Sequence, residues 1–186
     1  MSPEEWETGA PQERGQFRIF RVKEVQATSP RTGKDLSFYL LECNDWVNVI
    51  ALMEGGEVVM IQQYRFGTQQ VELEIPGGVI EEGETPEEAA VRELEADTGY
   101  NGGEISYHGS VSPNPAFHTN RCHTVVIQGV KPEGEQSLDP GEDLEVELKP
   151  LADIPGLIAD GTVRHSLVMA AFQLLGLAAD TSEEQT

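Results

Sequence analysis

Residues 78–100 read GVIEEGETPEEAAVRELEADTGY, a stretch in which a turn, a capped helix and a set of carboxylates follow one another. Thr85 is a good N-cap, Pro86 suits the first helical position, and Glu88 completes a capping box. The helix is predicted to run to about Thr98, with Gly99 as its left-handed stop. On that helix Glu93 and Asp97 stand four residues apart and share one face, one turn apart. Like charges at this spacing cost roughly 0.2–0.5 kcal/mol in an isolated helix, so the pair makes most sense with a cation between them. A hard ion that takes oxygen ligands, magnesium before others, fits such a pair. A solvated acidic face is the rival account, and spacing alone does not choose between them.

Upstream, residues 17–27 and 36–43 alternate apolar and polar side chains around a turn at Ser29-Pro30-Arg31-Thr32-Gly33, and predict a strand pair. Residues 46–53 and 57–64 repeat the pattern. Gly55 and Gly56 between them suit a tight hairpin with positive φ at both central positions. Residues 70–75 form one more short strand. Downstream, strands are expected at 104–111, 123–130 and 143–148, and helices at 153–159 and 165–177. In the last helix Leu167, Ala170, Ala171, Leu174, Leu175 and Ala178 recur at the spacing of a buried face. Strands and helices in no strict alternation predict an α+β domain with helices packed on sheet faces.

The chain of 186 residues suits one sizeable domain with short tails. Twelve Lys and Arg stand against thirty-three Asp and Glu, a formal charge of -21. Such a surface repels a phosphate backbone, which argues against a nucleic-acid binder. No basic leader with an apolar run opens the sequence and no segment is apolar enough to span a bilayer, so neither a signal peptide nor a membrane partner is expected. Cys43 and Cys122 are too few for a disulfide framework, and the expected compartment is the cytoplasm.

The wider pattern of residues 78–100 resembles the Nudix box, in which a Gly, a Glu, an Arg-Glu pair, paired Glu residues and a final Gly recur at fixed spacing. Gly78, Glu84, Arg92, Glu93, Leu94 and Gly99 fall on it, in the loop-and-helix context the box requires. Ala96 stands where the box has its first paired Glu, Asp97 where it has the second, and Tyr100 replaces the final aliphatic. The resemblance extends over roughly residues 58–175. Residues 58–64 followed by Arg65, and then Glu72-Leu73-Glu74-Ile75-Pro76-Gly77-Gly78, look like signatures of Nudix enzymes of ADP-ribose and other nucleotide sugars. Pro115, sixteen residues beyond Gly99, matches a proline typical of the ADP-ribose enzymes, although Ser112-Pro113-Asn114-Pro115 departs from their usual Ser-Pro-Gly.

This resemblance implies a Nudix fold, a mixed β-sheet sandwiched between helices with an N-terminal antiparallel β-sheet extension. It implies a hydrolase that cleaves nucleoside diphosphate sugars, such as ADP-ribose or GDP-mannose, to a nucleoside monophosphate and a sugar phosphate with Mg2+ or Mn2+. Glu93, Asp97, Glu142 and the carbonyl of Gly77 would hold metal, with Glu93, Asp97 and Glu142 as the catalytic carboxylates. Arg65, Glu74 and Pro115 would contact substrate, Arg65 at a phosphate. Glu84 and Arg92 would form a supporting ion pair. The general base is left among Glu142, Glu135 and Asp139.

The expected organisation is a tail at 1–15, a β-sheet region at 16–54 that pairs with its twin in a homodimer, the hydrolase domain at 55–178 and a tail at 179–186. Alternatives keep the chemistry but change the substrate to coenzyme A, dinucleotides or nucleoside triphosphates, or make the chain a non-catalytic nucleotide-sugar sensor, for which Ala96 is the support. His118 and His123 lack a partner pair at zinc-ligand spacing. Ser110 and Ser112 near His108 lack a nucleophile elbow. The loop at 113–121 offers Phe117 or Arg121 to a substrate, or is structural only.

Overall fold

A computed structural model describes residues 3–183, with side chains through residue 176. Two compact units emerge, one of residues 3–44 with Ser112–Arg121, the other of Asp45–Val111 with residues from Cys122 onward.

The first unit holds β1 (Glu7–Thr8), β2 (Gln12–Gln16), β3 (Arg21–Thr28) and β4 (Asp35–Glu42). The antiparallel β3–β4 pair turns at Gly33, whose φ is 67° and whose N–H donates to Ser29 O. The expected tail at 1–15 is corrected here, because β1 and β2 both pair with β3. Their Glu-rich composition hides the pairing, since hydrogen bonds between backbones hold them where side chains give no apolar pattern. The Ser112–Arg121 loop joins this unit: Leu41 N–H donates to Phe117 O, and Thr119 N–H to Leu41 O.

The second unit contains β5 (Trp46–Leu52), β6 (Glu57–Arg65), β7 (Gln70–Glu74), β8 (Gly77–Val79), α1 (Pro86–Thr98), β9 (Tyr100–Asn101), β10 (Glu104–Val111), β11 (Cys122–Gln128), β12 (Lys131–Pro132) and β13 (Leu144–Pro150). A single 3-10 turn (Leu151–Asp153), α2 (Ile154–Ala159) and α3 (Ser166–Glu183) complete it. The sheet runs β10-β11-β5-β6-β13, with β7 paired to β6 and β8 to β5. Only the β5–β11 pairing in this sheet is parallel.

Side chains alternate faces along a strand, and here both faces are covered. Val47, Val49, Ala51, Val59, Val125 and Ile127 pack with Ala89, Ala90 and Leu94 of α1. The alternate residues Ile50, Val58, Met60 and Val126 pack with Ile154 of α2 and with Val168 and Ala171 of α3. The alternation expected for residues 46–53 and 57–64 is therefore corrected to a nearly continuous apolar run, as a strand buried on both sides requires. The hairpin is corrected too: only Gly56 has positive φ, 82°, and its N–H donates to Met53 O at 3.0 Å. A turn followed by one left-handed glycine closes it, so Gly55 needs no special conformation. On α3 the packed face carries Val168, Ala171, Phe172 and Leu175. It is rotated from the expected stripe because the helix lies against β5, β10 and β11. The side chain of Ala178 and residues 184–186 of the expected C-terminal tail lie outside the described residues, while α3 itself reaches Glu183.

Candidate active site

The cap of α1 forms as its sequence predicts. Thr85 Oγ1 accepts from the Glu88 N–H at 3.2 Å and the Glu88 carboxylate accepts from the Thr85 N–H at 2.8 Å. Gly99 ends the helix with φ 72°. This local start and stop set the rotation of the helix, so that Glu93 and Asp97 meet β8.

Two glycines let them approach. A Cβ added to Gly78 would lie 2.2 Å from a Glu93 carboxylate oxygen, and one added to Gly77 would lie 2.2 Å from Val47 O. The Gly77 N–H donates to Asp97 Oδ2 at 3.3 Å. Asp97 is 3% exposed. Burial, then the charge of Glu93, pushes its carboxyl up to about 7, against the opposing pull of the Gly77 N–H. Burial also raises Glu93, although Arg92 beside it pulls the other way. A buried Asp97 and a half-buried Glu93, both raised above their ordinary values, have one evident remedy, a cation.

The supporting ion pair is present. Arg92 Nε and Nη2 each reach Glu84 at 2.8 Å, Nη1 reaches Glu93 at 2.7 Å, and Nη2 also donates to Val79 O at 3.0 Å. One planar guanidinium thus ties the loop before the helix, strand β8 and a site carboxylate into fixed positions.

A second anchored group comes from the far end of β6. Arg65 Nε and Nη2 donate to the two oxygens of Glu74, both at 2.9 Å. Burial pushes Glu74 up, but hydrogen bonds from Arg65 and His165 outweigh it and hold the carboxyl down at about 2. Asp97 and Glu142 both act electrostatically on Arg65, which places its cation among the site carboxylates.

The profile of the NUDIX domain matches residues 45–172. The chain belongs to the NUDIX domain family. A methanol dehydrogenase activator of Bacillus methanolicus is 33% identical over 132 residues, 70% of this chain and 71% of that protein. An ADP-ribose pyrophosphatase of Bacillus subtilis is 31% identical over 132 residues, again 70% of this chain and 71% of the relative. The ADP compounds hydrolase NudE of Escherichia coli is 31% identical over 158 residues, 85% of this chain and 84% of the relative. A crystal structure of an ADP compounds hydrolase superposes with a TM-score of 0.84 at 23% identity, covering 98% of each chain, and shares the fold. The Nudix fold with its mixed sheet between helices is thereby shown.

Among the described residues no three His, Cys, Asp or Glu side chains are gathered as a metal-holding group. The Glu142 carboxylate accepts from the Asp139 N–H at 2.9 Å, closing its own turn, while its charge is felt at both Glu93 and Asp97. One expectation needs correction within this Nudix site. Glu74, expected against substrate, is 2% exposed and accepts from Arg65 and His165 at its two oxygens, so it anchors cations.

Of the candidate bases, Asp139 shares the turn of Glu142, whereas Glu135 lines a groove on the flank of α1 with Val91, Ala96, Ile105 and Ser137. Ala96 faces that groove, so the departure from the box at this position leaves Glu93 and Asp97 in place. Pro115 lies in the loop of the N-terminal unit.

Two residues that the sequence did not single out also meet here: His165, whose Nδ1 lies 3.1 Å from Glu74 Oε2, and Arg164, whose Nε lies 2.6 Å from Glu72 Oε2. The available signal was the Glu72-x-Glu74 pair on one strand face and an Arg-His pair just before a helix. Nothing local shows that the two meet.

Proposed function

We propose that this Nudix protein is a pyrophosphohydrolase of nucleoside diphosphate sugars, with ADP-ribose first among them, yielding a nucleoside monophosphate and a sugar phosphate. The observation that carries the reading is the pair of a half-buried Glu93 and a buried Asp97 folded onto Gly77 and Gly78. The names of the Bacillus subtilis and Escherichia coli relatives support the choice of an ADP compound.

The donor set fits a hard divalent cation in kind, since Glu93, Asp97, Glu142 and the Gly77 carbonyl offer oxygen alone; Mg2+ is assigned, with Mn2+ as substitute. When bound, such an ion polarises phosphoryl oxygens and lowers the pKa of an attacking water. Glu93 and Asp97 hold it on a helix whose rotation is set by the cap and by the Glu84–Arg92 pair. Glu142 is the third carboxylate, on the loop whose Gln136 amide already donates to Asp97 O at 2.7 Å. Arg65 offsets the charge of the diphosphate. A homodimer through the N-terminal sheet is supported by Leu36, Phe38 and Tyr39, large apolar side chains exposed on β4. Cys43 and Cys122 are thiols outside any disulfide, which supports a cytoplasmic setting.

The test is chromatographic product detection with ADP-ribose, GDP-mannose, UDP-glucose, NADH, coenzyme A and nucleoside triphosphates, with Mg2+, Mn2+ or chelator. AMP release from ADP-ribose that needs metal and is lost in Glu93→Gln is the expected result. No turnover of any nucleotide sugar by folded protein overturns the reading.

A further inference from the structure

Glu74 lies behind Arg65 and His165, and their geometry assigns the outward nitrogen of the second. An ionised carboxylate only accepts hydrogen bonds. Held low in pKa, Glu74 is ionised, so the 3.1 Å contact with His165 requires the hydrogen on Nδ1. Nδ1 is thereby fixed as the donor to Glu74 and the ring in one orientation, with Nε2 as its outward nitrogen, which carries a hydrogen of its own when the ring is protonated. His165 is 37% exposed at its side chain, against 3% for Glu74. Arg65 is placed in the same way: Nε and Nη2 are spent on Glu74, and its side chain is 42% exposed.

The geometry points to His165 as a substrate-contacting residue, whose protonated ring donates from Nε2–H to a phosphoryl oxygen of the diphosphate beside Arg65. The role rests on the nucleotide-sugar reading above and deepens it. Phosphate is the fitting partner because Arg65 and His165 flank a single carboxylate: with both protonated, the three groups carry one net positive charge. Such a cradle matches an anion better than a neutral hydroxyl. Elsewhere the site presents Glu93, Asp97 and Glu142, all of which repel phosphate until a cation is bound. The rival role is a staple, since Arg164 on Glu72 and His165 on Glu74 together fasten the start of α3 to β7.

Two substitutions separate these roles. In His165→Asn the amide can still donate to Glu74 but cannot reach as far as Nε2; in His165→Gln the amide reaches toward the Nε2 position and offers a neutral donor. With ADP-ribose and Mg2+, His165→Asn raises KM about tenfold or more, the cost of one hydrogen bond to a charged group, at unchanged Tm. His165→Gln recovers part of that loss. The imidazole proton signal that His165→Asn removes from the NMR spectrum of the wild-type protein also shifts when Mg2+ is added with a methylene-bridged ADP-ribose analogue, which cannot be hydrolysed. Equal KM in wild type and His165→Asn, or an unmoved signal, overturns the role of His165 while hydrolysis by the wild type keeps the nucleotide-sugar reading. Absence of hydrolysis by the wild type overturns that reading and the role with it.

Discussion

Glu74 shows how one residue can matter to the site and to the pH range of the fold together. Its ordinary value of 4.5 falls to about 2 because bonds from Arg65 and His165 outweigh the effect of burial. The unfolded chain therefore binds the proton more readily than the folded one, and stability that is present above about 4.5 drains away as pH falls toward about 2. The lowering corresponds to something on the order of 3 kcal/mol. In Glu74→Gln that component is absent, so the stability gap between wild type and variant is widest near neutrality and closes with acid. Urea unfolding at a series of pH values from 7 to 3 measures it; a gap that does not change with pH sinks the claim. Neither the pairing nor its consequence was legible in the sequence. Arg65 sits nine residues from Glu74 on the neighbouring strand, and a register between strands is a tertiary fact that no local signal carries.

Among elements, legibility followed how local the signal was. The capping box, Pro86 and Gly99 all act within one or two turns, so α1 matched its predicted ends and the placing of Glu93 and Asp97 on one face could be read directly. Strand β8 was missed because two of its three residues are glycines with no side-chain pattern to read. Those glycines have distinct tasks and predict distinct failures. Gly77→Ala drives a methyl into the Val47 carbonyl, a backbone atom that cannot yield without parting β8 from β5, and the expected outcome is failure to fold or a loss of several kcal/mol, about what a large single-residue defect costs. Gly78→Ala meets only the end of the Glu93 side chain, which can swing aside. That variant should fold with a Tm near wild type yet lose most of its metal-dependent turnover. Thermal unfolding and a turnover assay on both proteins decide it, and a fully active Gly78→Ala would show that the contact with Glu93 is dispensable.

For the whole molecule the excess of acid poses a question that the site alone does not. With thirty-three Asp and Glu against twelve Lys and Arg, any salt stabilises the fold somewhat by screening self-repulsion, and divalent ions gather near the surface without needing a site. A specific site differs from this atmosphere in saturating: stabilisation grows as RT ln(1 + [L]/Kd), about 2.7 kcal/mol at a hundredfold excess over Kd. For a chain of this length that is a rise in Tm of roughly 5–10 °C. Burial adds a second distinction, because it pushes the Asp97 carboxyl up to about 7 and raises Glu93 as well, so a cation bound there competes with a proton at Asp97. The expected result is that Mg2+ raises the Tm in a saturating manner in about 0.3 M NaCl, where the atmosphere is largely screened, and that chelator reverses it. In Glu93→Gln the response to NaCl persists while the saturating Mg2+ response is lost. Should the variant respond to Mg2+ as the wild type does, the ion is held by the general acidity of the surface, and the paired carboxylates of α1 are not its site.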